Sequence, residues 1–149
     1  MKFKKFKFKK VKSTNNTAIR IIKNTNCTLG MVISDTQTKG KGQYGRKWIS
    51  SKGNLFVSFF NEFNNINLSI SNITKINCLL VKKLLSKFTN KNILFKKPND
   101  LIIDKKKISG ILQEVIVKAD KKFLITGIGI NINKNPNIKN YSATNLQEL

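Results

Sequence analysis

The sequence predicts an α+β domain built on a mixed sheet. The chain has 149 residues, of which 40% are hydrophobic, so it is long and apolar enough for one domain with a buried core. The predicted elements run in the order strand, helix, two strands, long helix and then several antiparallel strands. Strands that are grouped after a long helix, instead of alternating with helices, are typical of the α+β class.

The N-terminal part contributes a strand, a helix and two further strands. FKFKKVK alternates apolar and basic residues and predicts a half-buried strand over residues 6–12. The Ser-Thr-Asn at residues 13–15 are good capping residues for the helix that follows. LGMVISD and NLFVSFF predict strands over residues 29–35 and 54–60, so the segment between them is held by two strands of the sheet.

The second half contributes a long helix and the remaining strands. In NITKINCLLVKKLLSKF the apolar residues recur at helical spacing and predict one stripe that packs on the core. This stripe consists of Ile73, Ile76, Leu80, Leu84 and Phe88, widened by Val81 and Leu85. Strands are then predicted before Lys96, from Leu101 and from Ile108, and ADKK predicts a hairpin turn that leads into the strand FLITGIGININ.

The net charge of +22 suggests a nucleic-acid partner, but the kind of charge argues for a solvated lysine surface. Only Arg20 and Arg46 of the 29 basic residues are arginines, whereas nucleic-acid interfaces favour arginine for bidentate contacts and aromatic residues for stacking. An excess of lysine, asparagine and isoleucine is what A/T-rich codons produce. We therefore expect nonspecific attraction to RNA at low salt and no specific nucleic-acid partner.

The composition also excludes several kinds of chemistry and location. The sequence has no histidine, which removes Ser-His-Asp hydrolysis and histidine metal ligation. Cys27 and Cys78 are far apart and match no metal or redox spacing, so we expect a cytoplasmic protein. Since no apolar run reaches the roughly 18 residues that a membrane span requires, we expect no membrane partner.

A glycine-rich basic loop, TKGKGQYGRKW, occupies residues 38–48. Its three glycines allow the backbone to approach a ligand and to point N–H groups at it. Lys41 and Arg46 add cationic donors, and Trp48 offers a flat face for a ring. The loop does not match the P-loop pattern, because no GK[ST] closes it. Alone, it does not distinguish a small anionic ligand from a nonspecific basic surface.

A second segment, FKKPNDLIIDKKKISGILQE, spans residues 95–114. Pro98 and the residues that follow it predict a tight turn before a strand. Asp100 is one of only seven acidic residues in the chain; it either shapes the turn, holds Mg²⁺ or orients Lys96. Lys107 stands at the entry of the next strand, where we expect it to point into a cavity that Gly110 leaves open.

A third segment, GIGININ, places small and amide side chains at alternate positions of a strand. These residues, Gly127, Gly129, Asn131 and Asn133, therefore share one face. A purely structural strand favours β-branched residues at such positions, so we interpret the face as the floor of a ligand site.

These motifs, STNN, QTKGKGQYGRKW, KKPNDLIIDKKKISGILQE and GIGININ, occur in an order that closely resembles the catalytic domain of biotin protein ligases. The resemblance extends from about Phe6 to Leu149. It implies a mixed, largely antiparallel sheet with helices packed on one side, the core that these ligases share with lipoate ligases and class II aminoacyl-tRNA synthetases. It further implies ATP-dependent ligation of biotin to a lysine of a biotin carboxyl carrier protein, through biotinyl-5'-AMP and with Mg²⁺.

The resemblance also assigns site residues. The catalytic residues would be Lys107, Lys96 and Asp100, with Asp100 as the Mg²⁺ ligand. Biotin would contact Ser13, Thr14, Asn15, Gln37, Gly40, Lys41, Gly42, Gln43, Lys107, Gly110, Gly127 and Gly129. The ATP and adenylate site would comprise Arg46, Trp48, Lys96, Ile111 and Asn131.

The sequence departs from the family pattern at several points. Lys97 stands where tryptophan usually precedes the proline, and Lys41 and Gln43 stand where the loop usually carries arginines. We expect residues 1–149 to form the catalytic domain alone, without an N-terminal DNA-binding domain or a C-terminal β-barrel domain, and a homodimer is the candidate assembly. The alternative functions are a lipoate or octanoate ligase or transferase of the same superfamily, and a nonspecific basic RNA-binding protein. The acceptor implied is the biotin-accepting domain of acetyl-CoA carboxylase or a related carboxylase.

Overall fold

The architecture is a seven-stranded sheet with two α-helices and a short two-stranded ribbon, among the residues that the structure, a computed structural model, describes: 3–63, 67–138 and 141–149. Apart from the short ribbon, which lies in a segment predicted as a loop, the order of strands and helices is the one predicted from the sequence. The elements are β1 (Lys4–Val11), α1 (Thr14–Asn24), β2 (Leu29–Gln37), β3 (Gly40–Lys41), β4 (Lys47–Trp48), β5 (Leu55–Phe63), α2 (Ile70–Leu85), β6 (Ile93–Lys96), β7 (Asp100–Ile103), β8 (Lys106–Lys118) and β9 (Lys121–Ile130).

The sheet is mixed and mostly antiparallel, as predicted. Its strands lie in the order β1-β2-β5-β9-β8-β7-β6. The β1–β2 pair is parallel, and the other neighbouring pairs in this sheet are antiparallel. The predicted hairpin between β8 and β9 is confirmed: Ala119 and Asp120 have φ values of 45° and 63°, the left-handed geometry that tight hairpin turns use.

The two helices pack on opposite faces of the sheet, so the expectation that they share one side is wrong. Helix α1 buries Ala18 and Ile22 in a cluster that includes Ile125 of β9. Helix α2 buries Val81 and Leu85 in a second cluster that includes Ile130 of the same strand. Residues 125 and 130 are an odd number apart and therefore point to opposite faces. Both faces of β9 carry apolar residues, and one helix packs on each face.

Helix α1 begins where its cap was predicted. The Ser13 hydroxyl accepts a hydrogen bond from the Asn16 N–H at 3.4 Å. Thr14 and Asn15 then lie in the first turn and are buried against the sheet, with exposed fractions of 4% and 3%. The capping sequence thus directs two polar side chains inward, at the end of the helix that lies beside the glycine-rich segments.

Helix α2 buries only part of the predicted stripe, namely Ile73, Val81 and Leu85. Ile76, Leu80, Leu84 and Phe88 are 44%, 59%, 49% and 66% exposed. The buried residues are Ile73, Thr74, Cys78, Val81 and Leu85. The two stripes overlap on the helix and differ by about one residue, or roughly 100°. The buried stripe includes Thr74, whose hydroxyl lies 3.2 Å from Oε1 of Gln113 on β8.

None of the helices among the described residues is long and apolar enough to cross a membrane.

The neighbours Leu84 and Leu85 test which stripe of α2 is buried. Leu85→Ala should lower the free energy of unfolding by about 2–5 kcal/mol, because it leaves a cavity in the core. Leu84→Ala, at a half-exposed position, should cost less than about 1 kcal/mol. Urea unfolding followed by far-UV circular dichroism measures both. Equal losses, or a larger loss for Leu84→Ala, would contradict the burial of Leu85 and the exposure of Leu84.

Candidate active site

One cavity of about 600 Å³ lies on the α1 face of the sheet, between the first turn of α1, the glycine loop and strands β7 to β9. It brings together most of the residues that the sequence assigned to a site. The predicted residues that line it are Ser13, Thr14, Asn15, Gln37, Lys41, Gly42, Gln43, Arg46, Trp48, Lys96, Asp100, Lys107, Gly110, Ile111, Gly127 and Gly129.

Two predicted site residues, Gly40 and Asn131, are not among the residues lining this cavity. Gly40 pairs with Trp48 in the β3–β4 ribbon. Asn131 is 1% exposed, and its amide donates to the carbonyls of Thr144 (3.2 Å) and Lys107 (3.4 Å). An adenine contact by Asn131 would require its amide to release these partners.

One end of the cavity is an uncharged hydrogen-bonding network. The Gln37 side-chain oxygen accepts from the Thr14 backbone N–H at 2.7 Å and from the Thr14 hydroxyl at 3.1 Å. The Ser58 hydroxyl lies 2.8 Å from the Thr14 hydroxyl and also donates to the Asn15 amide oxygen. The Asn15 amide nitrogen donates to Glu114 at 2.8 Å. Because each group has a partner, the polar end is held in one arrangement.

The glycines of GIGININ make room for side chains of the protein itself. A Cβ atom at position 127 would overlap the Asn15 amide, and one at position 129 would lie 2.5 Å from Cε2 of the Trp48 indole. Gly110 is the cross-strand partner of Gly129 and lies under the same indole. A Cβ atom at position 110 would lie 2.7 Å from Cζ3 of Trp48. The face that the sequence analysis assigned directly to a ligand is therefore covered here by Asn15 and Trp48.

The indole of Trp48 has an unused hydrogen-bond donor. Its Nε1 atom is buried and has no acceptor among the described residues. A buried donor without a partner is costly, so this group favours a ligand or solvent oxygen at the cavity.

The other end of the cavity centres on the Lys107 ammonium. It lies 2.7 Å from Oδ1 of Asp100, and both side chains are about one-fifth exposed, at 18% and 22%. The ammonium also lies 5.2 Å from the ring centroids of Trp48 and Tyr141, a distance at which cation–π attraction operates. Asp100 therefore pairs with Lys107, and the expectation that it orients Lys96 is not met in this structure.

The backbone of Lys107 is held by the C-terminal segment. Its N–H donates to the Ser142 carbonyl at 2.9 Å, and its carbonyl accepts from the Thr144 N–H at 3.0 Å. This parallel bridge brings Tyr141 beside the ammonium. Burial, and next the Asp100 carboxylate, raise the pKa of Tyr141 while Arg46 opposes the shift, so the phenol stays neutral at physiological pH.

The cavity carries a strong excess of positive charge. Asp100 is the one carboxylate among its lining residues, which include six cationic side chains. These are Lys41, Arg46, Lys47, Lys96, Lys105 and Lys107. Such a wall favours an anionic ligand.

The described residues contain no group of three or more His, Cys, Asp or Glu side chains that could hold a metal ion. Burial, with a smaller effect of Asp100, raises the pKa of Cys78 to about 12, so its thiol is not a nucleophile at neutral pH.

Three residues of the site were not identified from the sequence. Ser58 had a weak signal, since it is a lone hydroxyl in a strand of phenylalanines. Glu114 closes the ISGILQE motif, but nothing in the sequence indicates its partners. Tyr141 lies in an asparagine-rich segment that appears structureless from the sequence alone, and only the fold brings it beside Lys107.

Comparison with known proteins identifies the family. The model of the biotin/lipoate A/B protein ligase family matches residues 7–131. The bifunctional ligase/repressor BirA of Bacillus subtilis is 32% identical over 127 residues, which are 84% of this chain and 39% of that protein. The chain thus spans about two-fifths of the length of this curated relative.

Solved structures agree with the sequence comparison. The biotin protein ligase from Aquifex aeolicus in complex with biotin and ATP superposes with a TM-score of 0.78 at 34% identity, over 97% of this chain and 60% of that one. The enzyme from Leishmania major in complex with biotinyl-5-AMP gives 0.76 at 26% identity, over 97% and 63%. The matched motifs, the fold and the cavity lead to one conclusion: the chain belongs to the biotin/lipoate A/B protein ligase family.

Proposed function

We propose that the protein activates biotin with ATP and transfers it to a lysine of a biotin carboxyl carrier protein, as in acetyl-CoA carboxylase or a related carboxylase. One observation carries most of this proposal: a single cavity joins an uncharged hydrogen-bonding end to a cationic end. Biotin has the matching division, with a neutral ureido ring at one end and a carboxylate at the other.

The polar end suits the ureido ring. Thr14, Asn15 and Gln37 line this end and present fixed hydroxyl and amide groups, which can donate to a carbonyl oxygen and accept from ring N–H groups. The buried Ser58 hydroxyl holds Thr14 and Asn15 from behind. The loop residues Gly40 to Gln43 would close over the bound ring. Gly110, Gly127 and Gly129 would act indirectly, since they make room for the Trp48 indole and the Asn15 amide that line the cavity.

The cationic end suits the reacting anions. The biotin carboxylate attacks the α-phosphorus of ATP, a new C–O–P bond forms, and pyrophosphate leaves with the electrons of the broken P–O bond. Two anions repel each other at this step, so cations in a water-poor pocket lower the barrier. Lys107 is the leading candidate for this role, with Lys96 and Arg46 on the phosphates.

The second step needs no side-chain nucleophile of the protein. The amine of the carrier lysine attacks the acyl carbon of biotinyl-5'-AMP, an amide forms, and AMP leaves. This is consistent with a histidine-free sequence. Trp48 would pack beside the adenine, together with Ile111 and Asn131.

Asp100 is the candidate Mg²⁺ ligand. Magnesium is commonly held by one or two carboxylates plus substrate phosphates, which fits a cavity lined by a single acidic residue. When bound, the ion would neutralise phosphate charge. Asp100 would then exchange its contact with Lys107 for the ion, which frees the ammonium for the substrates.

The exchange of labelled pyrophosphate into ATP tests this function. Biotin should stimulate the exchange, whereas lipoate and octanoate, the substrates of the alternative function within the same family, should not. Stimulation by octanoate or lipoate alone would assign the protein to the other branch. No stimulation by any of the three acids would refute the proposed activation step.

Lys107 can be tested with its neighbour as a control. Lys107→Ala should lower the exchange rate by about 100-fold or more, the usual cost of removing a group that stabilises transition-state charge. Biotin should still bind, but more weakly. Lys106→Ala removes an exposed lysine that does not line the cavity and should change the rate by less than about twofold. Similar rates for both variants would remove Lys107 from the mechanism.

The stacking of Trp48 can be followed by fluorescence, because this is the only tryptophan in the sequence. Gly129→Ala places a methyl group 2.5 Å from the indole and should force it into solvent, which shifts its emission to the red and weakens ATP binding. Gly42→Ala, where the nearest atom lies at 3.4 Å, is the matched control. An unchanged spectrum for Gly129→Ala would contradict the stacked arrangement.

A further inference from the structure

We propose that Glu114 is a positioning residue that couples the glycine loop, residues 38–48, to the polar end of the cavity. Its two carboxylate oxygens hold two different parts of the site. Oε2 accepts from the Asn15 amide at 2.8 Å, and Oε1 lies 2.9 Å from the Lys41 ammonium. The consequence for catalysis rests on the proposed function, but the structural coupling does not.

The sheet places Glu114 between α1 and the loop. Every second residue of β8 points to the same face of the sheet. On the face that carries Gly127 and Gly129, these residues are Gly110, Leu112 and Glu114. The first turn of α1 lies over this face, so the carboxylate meets Asn15 from below. Glu114 is only 26% exposed and Lys41 is 40% exposed, which makes the pair less screened than a free surface ion pair.

Asn15 is oriented by Glu114 on one side and by Ser58 on the other. The Asn15 amide oxygen accepts from Ser58 and its nitrogen donates to Glu114. A carboxylate can only accept, so it fixes which end of the amide points where. Glu114→Gln would remove this constraint on the orientation of the Asn15 amide while keeping the shape of the side chain.

The loop tip has few other attachments to the body of the protein. Among the described residues, the hydrogen bonds of residues 42–46 lie within the loop, from Gly42 N–H to the Arg46 carbonyl and from Arg46 N–H to the Gln43 carbonyl. Lys41 makes the side-chain bonds to the body, to Glu114 and to Oδ1 of Asn16 at 3.0 Å. Closure of the tip therefore depends on Lys41.

Charge makes the Glu114 contact necessary. The loop carries four cations, Lys39, Lys41, Arg46 and Lys47, and it faces a cavity wall with further lysines and Asp100 as its one acidic lining residue. Like charges at this range repel. Glu114 offsets that repulsion at the point where the loop meets the body, and the same carboxylate orients a group proposed to bind biotin.

Hydrogen–deuterium exchange of peptides spanning residues 38–48 tests the coupling on the intact protein without any ligand. Glu114→Gln should raise the exchange rate of the loop about fivefold, the effect of losing roughly 1 kcal/mol. Lys41→Met should raise it at least as much, because it also removes the contact with Asn16. The double variant should not exceed Lys41→Met, since the Glu114–Lys41 contact is already lost there. Glu62→Gln breaks the distant ion pair with Lys121 (3.0 Å) and should leave the loop unchanged.

Biotin affinity separates positioning from a merely structural role. Glu114→Gln should weaken biotin binding several-fold because Asn15 loses its orientation, whereas Lys41→Met should mainly hasten escape of biotinyl-5'-AMP. Unchanged loop exchange in both Glu114→Gln and Lys41→Met would overturn the coupling. If both variants exchange faster in the loop but the wild-type protein binds no biotin, the coupling is supported and the proposed function is refuted.

Discussion

The absence of side chains at three positions of the sheet is the constraint on which the site depends. Gly110 and Gly129 face each other across β8 and β9 and allow the Trp48 indole to lie flat on the strands. Gly127 allows the Asn15 amide to reach the same surface. Any larger residue would lift the loop or the first turn of α1 away from the sheet, and the cavity between them would lose its shape.

Two of the few carboxylates organise the excess positive charge around that cavity. Asp100 pairs with Lys107 at one end, and Glu114 pairs with Lys41 at the other. In a chain with 29 basic and seven acidic residues, each of these contacts relieves repulsion where cations gather around the cavity. The surplus lysines elsewhere are consistent with a solvated surface and carry no evidence for a nucleic-acid partner.

Local patterns were enough to predict the strands of the main sheet and helix α1, because periodicity is a local property. Most of the residues that meet in the cavity were assigned through the resemblance to biotin protein ligases. Local patterns could not predict which stripe of α2 is buried, since two overlapping apolar stripes exist and only packing against Gln113 and its neighbours selects one. The resemblance also implied that both helices lie on one side, whereas β9 is apolar on both faces. The roles of Tyr141 and Glu114 depend on contacts between distant segments.

We propose that one cavity binds the neutral ring of biotin at its α1 end and the phosphate of the adenylate at its Lys107 end. A crystal structure with biotinyl-5'-AMP tests this binding mode most directly. We expect the ureido ring within hydrogen-bond distance of Asn15 or Gln37, and the phosphate beside Lys107 with the Asp100–Lys107 contact lengthened. An adenylate bound in the reverse direction, or outside the cavity, would contradict it.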